Sequence, residues 1–156
     1  MRYKFGKELY KQMKKDERIV LLLGDIGYGV FTDCEKDFPE RVINVGICEQ
    51  TMVAMAAGMA LQGLKPLVYT ITPFLIERAF EMIKVDIDAM KTNVKLIGYC
   101  DYPDQGITHR CIDESIMLVF DNIEQFYPID ERALDCSIKK IFETDEPCFM
   151  SLKKLK

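Results

Sequence analysis

At 156 residues and 49% hydrophobic, the chain fits one globular domain with a core of its own. A net charge of −4 and a pI near 5.1 argue against a nucleic-acid-binding surface, and no apolar run approaches the roughly 20 residues of a membrane span. Segment 1–15 is charged and lacks the apolar centre of a signal peptide. Six cysteines (Cys34, Cys48, Cys100, Cys111, Cys136 and Cys148) are scattered without a Cys-x-x-Cys pair, and there is one histidine. Neither a zinc site nor a disulfide framework is indicated, and reduced thiols in a cytoplasmic setting are expected.

Apolar residues at Phe5, Leu9, Tyr10 and Met13 have the spacing of an amphipathic helix over 3–15 with a lysine-rich outer face. Segment 18–23 is a continuous apolar run ending at Gly24-Asp25, which is how a strand buried on both faces of a parallel sheet reads. A short helix is expected over 31–38, before Pro39. Val42, Ile43 and Val45 form a second strand, and Gly46 turns the chain into an uncharged helix from Gln50 to Leu61. A third strand over 66–72 leads into a helix from Pro73 or Phe74 to Met90, with Pro73 tolerated only in its first turn. Segment 94–100 reads as a fourth strand. A loop rich in Pro, Asp and Gly follows over 101–109, then a short helix over 113–120. Strands over 124–127 and 148–152 flank a helix over 130–142. Strand alternating with helix throughout predicts an α/β fold: a single doubly wound, mostly parallel six-stranded sheet flanked by helices. No repeat, low-complexity segment or linker divides it. Ligands of such sheets bind beyond the carboxyl ends of the strands, which directs attention to 24–29, 46–49, 70–74, 100–109 and the tail after Leu152.

Helix 50–61 is apolar all round, so it is buried in a core or against another chain, and a chain this short has little interior to hide it. Glu49 leads it. One account is electrostatic: an acid in the first turn favours the positive end of the helix dipole by about 0.3–1 kcal/mol. The other is a functional buried carboxyl. The pattern around it, Arg41-x-x-Asn44-x-Gly46-Ile47-x-Glu49-Gln50-x-Met52, followed by Ala56-Ala57-Gly58-x-Ala60 and a later Gly63-x-x-Pro66, resembles the pyrimidine-binding (Pyr) domain of the transketolase family. Thr70 to Glu81 is similar to that family's Thr-Phe-x-x-Phe…Arg-Ala-x-Glu segment. Gly106-Ile107-Thr108-His109 resembles its Gly-Pro-Thr-His motif, and Asp113-Glu114 resembles the acids after it.

The resemblance implies a role for each matched position. These enzymes use thiamine diphosphate, and Glu49 falls on the glutamate that hydrogen-bonds the cofactor's aminopyrimidine and so promotes deprotonation of its thiazolium carbon. That is acid–base catalysis through the cofactor, helped by the raised pKa expected of a carboxyl among apolar neighbours. Phe74 falls on an aromatic that packs on the pyrimidine; otherwise it is a core phenylalanine. The family's aromatic three positions earlier is Ile71 here, which keeps apolar contact without ring stacking. Asp25 matches an aspartate near the thiazolium, or it orders a tight turn. A polar substrate-placing residue of the family is Gly29 here. Gly24-Asp25-Ile26-Gly27 mimics the start of the metal–diphosphate motif but lacks its asparagine, and it is read as coincidence.

His109 is assigned to the substrate channel and to catalysis, with a structural histidine as the alternative. Gln105 replaces the aspartate of the family's Asp-Gly-Pro-Thr-His, with Asp104 one position earlier, so the acceptor substrate is expected to differ from an ordinary pentose phosphate. Arg78, at the family's Arg-Ala position, contacts substrate or forms a salt bridge. Lys153 and Lys154 lie where relatives carry a phosphate-binding arginine, or they belong to a solvated basic tail.

The resemblance covers only the Pyr domain, 1–156, with no diphosphate-binding (PP) domain and no C-terminal domain. A natural split subunit is expected rather than a fragment. Its partner would be a PP chain holding the cofactor's diphosphate through Mg2+ or Ca2+, in an α2β2 heterotetramer, with self-association through the Gln50 to Leu61 helix. The implied activity is transfer of a two-carbon ketol unit between sugars or sugar-like carbonyl compounds. The alternatives are a 2-oxo-acid decarboxylase or acyloin-forming subunit, and a non-catalytic interaction module.

Overall fold

A computed structural model describes residues 1–100, 105–110 and 114–153. Its first strand, β1 (Ile19–Leu23), is buried along its whole length. Such a run is stable only if both faces are covered, and both are. β2 (Val42–Asn44) lies at one edge. β3 (Lys65–Ile71), β4 (Lys95–Cys100), β6 (Cys148–Lys153) and β5 (Glu124–Phe126) complete a six-stranded, all-parallel sheet of order β2-β1-β3-β4-β6-β5.

The pleat sorts the side chains. Leu21, Leu23, Leu67, Tyr69, Ile97 and Met150 face one side, where α1 (Arg2–Lys15), α2 (Thr32–Asp37) and α5 (Glu131–Glu143) supply Phe5, Leu9, Cys34, Leu134 and Ile138. Val20, Leu22, Val68, Leu96 and Phe149 face the other, against α3 (Glu49–Leu61) and the helical segment 74–89. Each fully buried large apolar side chain contributes about 1.5–3 kcal/mol of transfer free energy, so both layers are held mainly by this burial. α5 also has a built start: Asp130 accepts a hydrogen bond from the Ala133 amide at 2.7 Å. The expected doubly wound α/β fold is the observed one. No helix among the described residues is long and apolar enough to cross a membrane.

Segment 74–89 departs from the single α-helix expected to Met90. It runs as a π-helical turn at Phe74–Arg78, a short α4 (Phe80–Met82) and a second π-helical stretch at Ile83–Ala89. Leu75, Ala79, Ile83 and Ile87 are all fully buried at a strict four-residue spacing. On an α-helix of 3.6 residues per turn, each such step rotates the side chain by about 40°, so the row would leave the sheet. Wider turns keep it facing inward. Pro73 stands just ahead of the first turn, where its missing N–H costs nothing. The helix expected over 113–120 is instead a 3-10 segment, Glu114–Val119.

α3 buries Glu49, Met52, Val53, Ala56 and Ala57 against the sheet. Ala54, Met55, Gly58 and Leu61 remain on its exposed side, so the face opposite the core is apolar too.

β1 is flanked by β2 on one side and β3 on the other, so the chain reverses its winding between β1 and β3. The crevice beyond their carboxyl ends is where a ligand fits such a sheet.

Candidate functional site

Four turns meet at that crevice. β1 ends at Gly24, where a Cβ would lie 2.8 Å from the Thr70 hydroxyl, so only glycine lets β1 and β3 close up there. Asp25 follows in the left-handed region at φ 54, and β2 turns out through Gly46 at φ 80. Glycine adopts that conformation freely, whereas an aspartate there is held by its contacts. Ile71 ends β3, and Phe74 opens the helical segment after it. Gln105 and His109 lie in the connection after β4, His109 closing a 3-10 turn, Ile107–His109.

These turns enclose a cavity of about 370 Å³ whose walls include Asp25, Glu49, Ile71, Phe74, Gln105 and His109. Six of the residues singled out in the sequence therefore share one space. Ile26 and Ile47 add apolar wall. A second hollow, of about 680 Å³, adjoins it on the far side of Glu49, lined by Ile47, Gln50, Thr51, Glu77 and Arg78 among others. A third groove, between α1 and α5, is lined by lysines such as Lys4, Lys7 and Lys11 and contains none of the candidate residues.

Glu49 occupies the first position of α3 and is 3% exposed. Its charge is met by Arg78, whose Nη1 donates to Oε1 at 3.0 Å and to Oε2 at 3.1 Å. The Arg78 guanidinium carbon lies 3.6 Å from the centre of the Phe74 ring, and that ring meets the His109 imidazole edge-on at 4.8 Å. Carboxylate, guanidinium, phenyl and imidazole thus form one continuous stack from the buried head of α3 to the β4 connection. The Thr108 hydroxyl lies 3.2 Å from His109 Nδ1.

Asp25 is anchored differently. The Tyr28 hydroxyl donates to its Oδ1 at 2.7 Å, and Asn44 Nδ2 donates to the same oxygen at 3.2 Å. These donors, Tyr28 foremost, lower the Asp25 pKa below the usual carboxylate value and keep it an anionic acceptor.

Arg78 is not on the cavity wall; it reaches the site through Glu49, the partner in its salt bridge. Lys153 ends β6 on the surface, whereas Lys154 and Asp113 lie outside the described residues. Asn44 and Tyr28 were not singled out in the sequence as site residues. Asn44 was visible as the asparagine of the Arg-x-x-Asn-x-Gly pattern, but Tyr28 carried no signal. The described cysteines are free thiols; Cys34 and Cys148 are buried, and burial pushes both pKa values up to about 11. Among the described residues no group of three or more His, Cys, Asp or Glu could hold a metal ion.

Comparison with known proteins decides the family. The model of the transketolase pyrimidine-binding domain matches residues 1–156. The chain belongs to that family. An apulose-4-phosphate transketolase subunit of Actinobacillus succinogenes is 45% identical over 97 residues, covering 60% of this chain and 31% of that protein. The 1-deoxy-D-xylulose-5-phosphate synthase of Syntrophomonas wolfei is 32% identical over 152 residues, 92% of this chain and 23% of the relative. Among solved structures, a split-gene transketolase in an inactive β4 tetramer superposes with a TM-score of 0.84 at 33% identity, over 97% of this chain and 50% of that one. This chain therefore spans half or less of the length of these relatives.

The cavity suits the pyrimidine end of thiamine diphosphate, the cofactor the family uses. It offers a buried carboxyl at one side, a phenyl ring, and the aliphatic walls of Ile26, Ile47 and Ile71. Ile71 offers an aliphatic surface and no ring face.

Proposed function

We propose that residues 1–156 form the pyrimidine-binding subunit of a thiamine-diphosphate enzyme of transketolase type, cytoplasmic and split across two chains. The reaction would be transfer of a two-carbon ketol unit between sugar phosphates or sugar-like carbonyl compounds. The observation that carries this reading is Glu49: an acid 3% exposed, leading an otherwise uncharged helix, at the wall of the crevice beyond β1 and β3.

When bound, the cofactor supplies a nucleophilic carbon that accepts the ketol unit. This chain's residues hold and orient it. Glu49 would exchange a proton with the pyrimidine nitrogen, Phe74 would pack on the ring, and the isoleucines would exclude water. Asp25 would present an anionic acceptor to the cationic thiazolium. His109 and Gln105, on the wall of the same cavity, would contact substrate hydroxyls or the carbonyl oxygen. Arg78 keeps Glu49 in place and, being half-exposed, is within reach of an anionic substrate group. Lys154 is retained as a candidate phosphate contact.

The diphosphate and its Mg2+ or Ca2+ are assigned to a separate PP-domain chain in an α2β2 heterotetramer, with the exposed side of α3 meeting a second copy. The Actinobacillus relative is named as one subunit of a transketolase and the solved structure as a split-gene enzyme, which supports a division of this kind. A second reading is a 2-oxo-acid decarboxylating or acyloin-forming enzyme. The 32% identity to a synthase rather than a transketolase is the observation that favours it.

The test is Glu49→Gln in the reconstituted pair, assayed with a ketose donor and several aldehydes, and separately with 2-oxo acids. Activity should fall by at least ~100-fold, the scale of a general acid–base contribution, with folding little changed. Near-parental turnover in this variant removes the assignment of Glu49. Carbon dioxide release without ketol transfer in the parent selects the second reading.

A further inference from the structure

The β1–β2 ladder ends with Leu23 paired to Asn44, and one further backbone bond, from the Val45 amide to Leu23 O at 2.9 Å, closes it. Beyond that point the two chains diverge into separate turns, one carrying Asp25 and the other leading through Gly46 to Glu49. The next rung is made by a side chain. Asn44 Oδ1 accepts the Asp25 amide at 3.1 Å and the Gly46 amide at 3.0 Å, while Asn44 Nδ2 donates to Asp25 Oδ1 at 3.2 Å. Two backbone N–H groups converge on one atom and a carboxylate oxygen meets the other, so chemistry alone dictates which end of the amide is which.

Both residues tied by this amide are in the left-handed region, where a non-glycine residue such as Asp25 is held only by its surroundings. The tie also runs on toward Glu49: Gly46 O accepts the Cys48 amide and Cys48 O accepts the Met52 amide, both at 2.9 Å, which seats the first turn of α3. Asp25 and Glu49 line the same cavity.

From this we infer that Asn44 is a positioning residue that sets the spacing between the two carboxylates of the site, Asp25 and Glu49. It is not itself among the residues lining the cavity. Serine at this place could satisfy one amide but not both turns. Aspartate could accept from both amides but would set a second anion against Asp25 Oδ1. Only a side-chain amide does all three things.

The inference rests on the proposed function for its catalytic consequence but not for its geometric one, and the experiment separates the two. Amide hydrogen exchange of the chain alone, followed by NMR, reads the tie without cofactor. In Asn44→Ala the Asp25 and Gly46 amides should exchange at least ~10-fold faster than in the parent. In Asn44→Asp the Gly46 amide should keep its parental rate. In the pair reconstituted with a PP-domain chain and thiamine diphosphate, Asn44→Ala should lower kcat at saturating cofactor by ~10-fold or more. Asn44→Asp should lower it too, through Asp25, with a thermal midpoint close to the parent's.

Parental exchange at both amides in Asn44→Ala overturns the inference. So does faster exchange with an unchanged kcat. If the parent pair shows no turnover at all, the proposed function fails and the exchange rates alone decide whether Asn44 couples the two turns. Asn44→Asp, close in size to the parent, decides the Gly46 half if Asn44→Ala does not fold.

Discussion

Replacing Arg78 by methionine isolates the contact on which the site turns. Methionine keeps an unbranched stem but removes the guanidinium that meets Glu49 and lies over the Phe74 ring. The Glu49 side chain is 3% exposed and that of Arg78 is 39% exposed, so the pair is neither wholly buried nor a surface pair. Breaking a fully buried pair from one side costs about 3–5 kcal/mol, because the remaining charge is stranded. Exposed pairs are worth about 0–1 kcal/mol. With the carboxylate sealed but the guanidinium open to solvent, about 1–3 kcal/mol is expected, including about 0.5–1 kcal/mol from the cation over Phe74. For a domain of this size each kcal/mol moves the midpoint by about 2–4 °C, so Arg78→Met should melt roughly 2–12 °C below the parent.

The reverse change, Glu49→Gln, strands nothing comparable, since Arg78 can turn to water; it should cost less than about 1 kcal/mol. Urea unfolding of both single variants and the double variant closes a cycle whose coupling should be at least ~1 kcal/mol. A midpoint for Arg78→Met equal to the parent's, with a coupling below ~0.3 kcal/mol, would refute the argument that Arg78 compensates Glu49 in solution.

Much of this was legible in the chain because the relevant chemistry is local. The apolar run at 19–23 can only be a strand covered on both faces, and once strands alternate with helices, the turns after them are where a ligand must sit. Asp25, Glu49, Ile71, Phe74, Gln105 and His109 were found in that way, together with the motif resemblance, and all line one cavity. What escaped depends on contacts distant in sequence. Glu49 and Arg78 are 29 positions apart and meet only because α3 and the 74–89 segment pack on the same face of the sheet. The Asn44 to Asp25 tie spans 19 positions, and an exposed asparagine at a strand end looks in sequence like any turn residue. The π-helical turns were hidden for another reason: a four-residue apolar spacing fits an α-helix over one turn and betrays itself only over three.

Further outcomes follow from the same geometry. Hydrogen bonds from Arg18 hold the Asp16 pKa down to about 2, and Lys65 adds attraction. Because this folded value lies below the unfolded one near 3.9, the bond stabilises fully above about pH 4 and is lost as pH falls toward about 2. The pair is exposed, so Asp16→Asn should remove less than about 1 kcal/mol at neutral pH and flatten that part of the acid limb in urea titrations; an unchanged limb contradicts the assignment. Gly98→Ala would press a methyl group on the Thr72 side chain and come within 3.1 Å of its Cα, so it should cost about 1–3 kcal/mol by calorimetry. Parental stability would mean that β3 and β4 are not so closely packed there. Met55→Lys combined with Leu61→Lys tests the exposed side of α3. Both side chains are partly exposed, at 36% and 58%, so the monomer loses little buried contact and its stability should largely hold. An apolar face of this kind is buried by a second copy only if desolvating it is favourable, and two lysines make that desolvation costly. Sedimentation should therefore find the parent self-associated and the double variant monomeric. If both sediment alike, whether as monomer or as oligomer, the α3 face is not what holds the copies together.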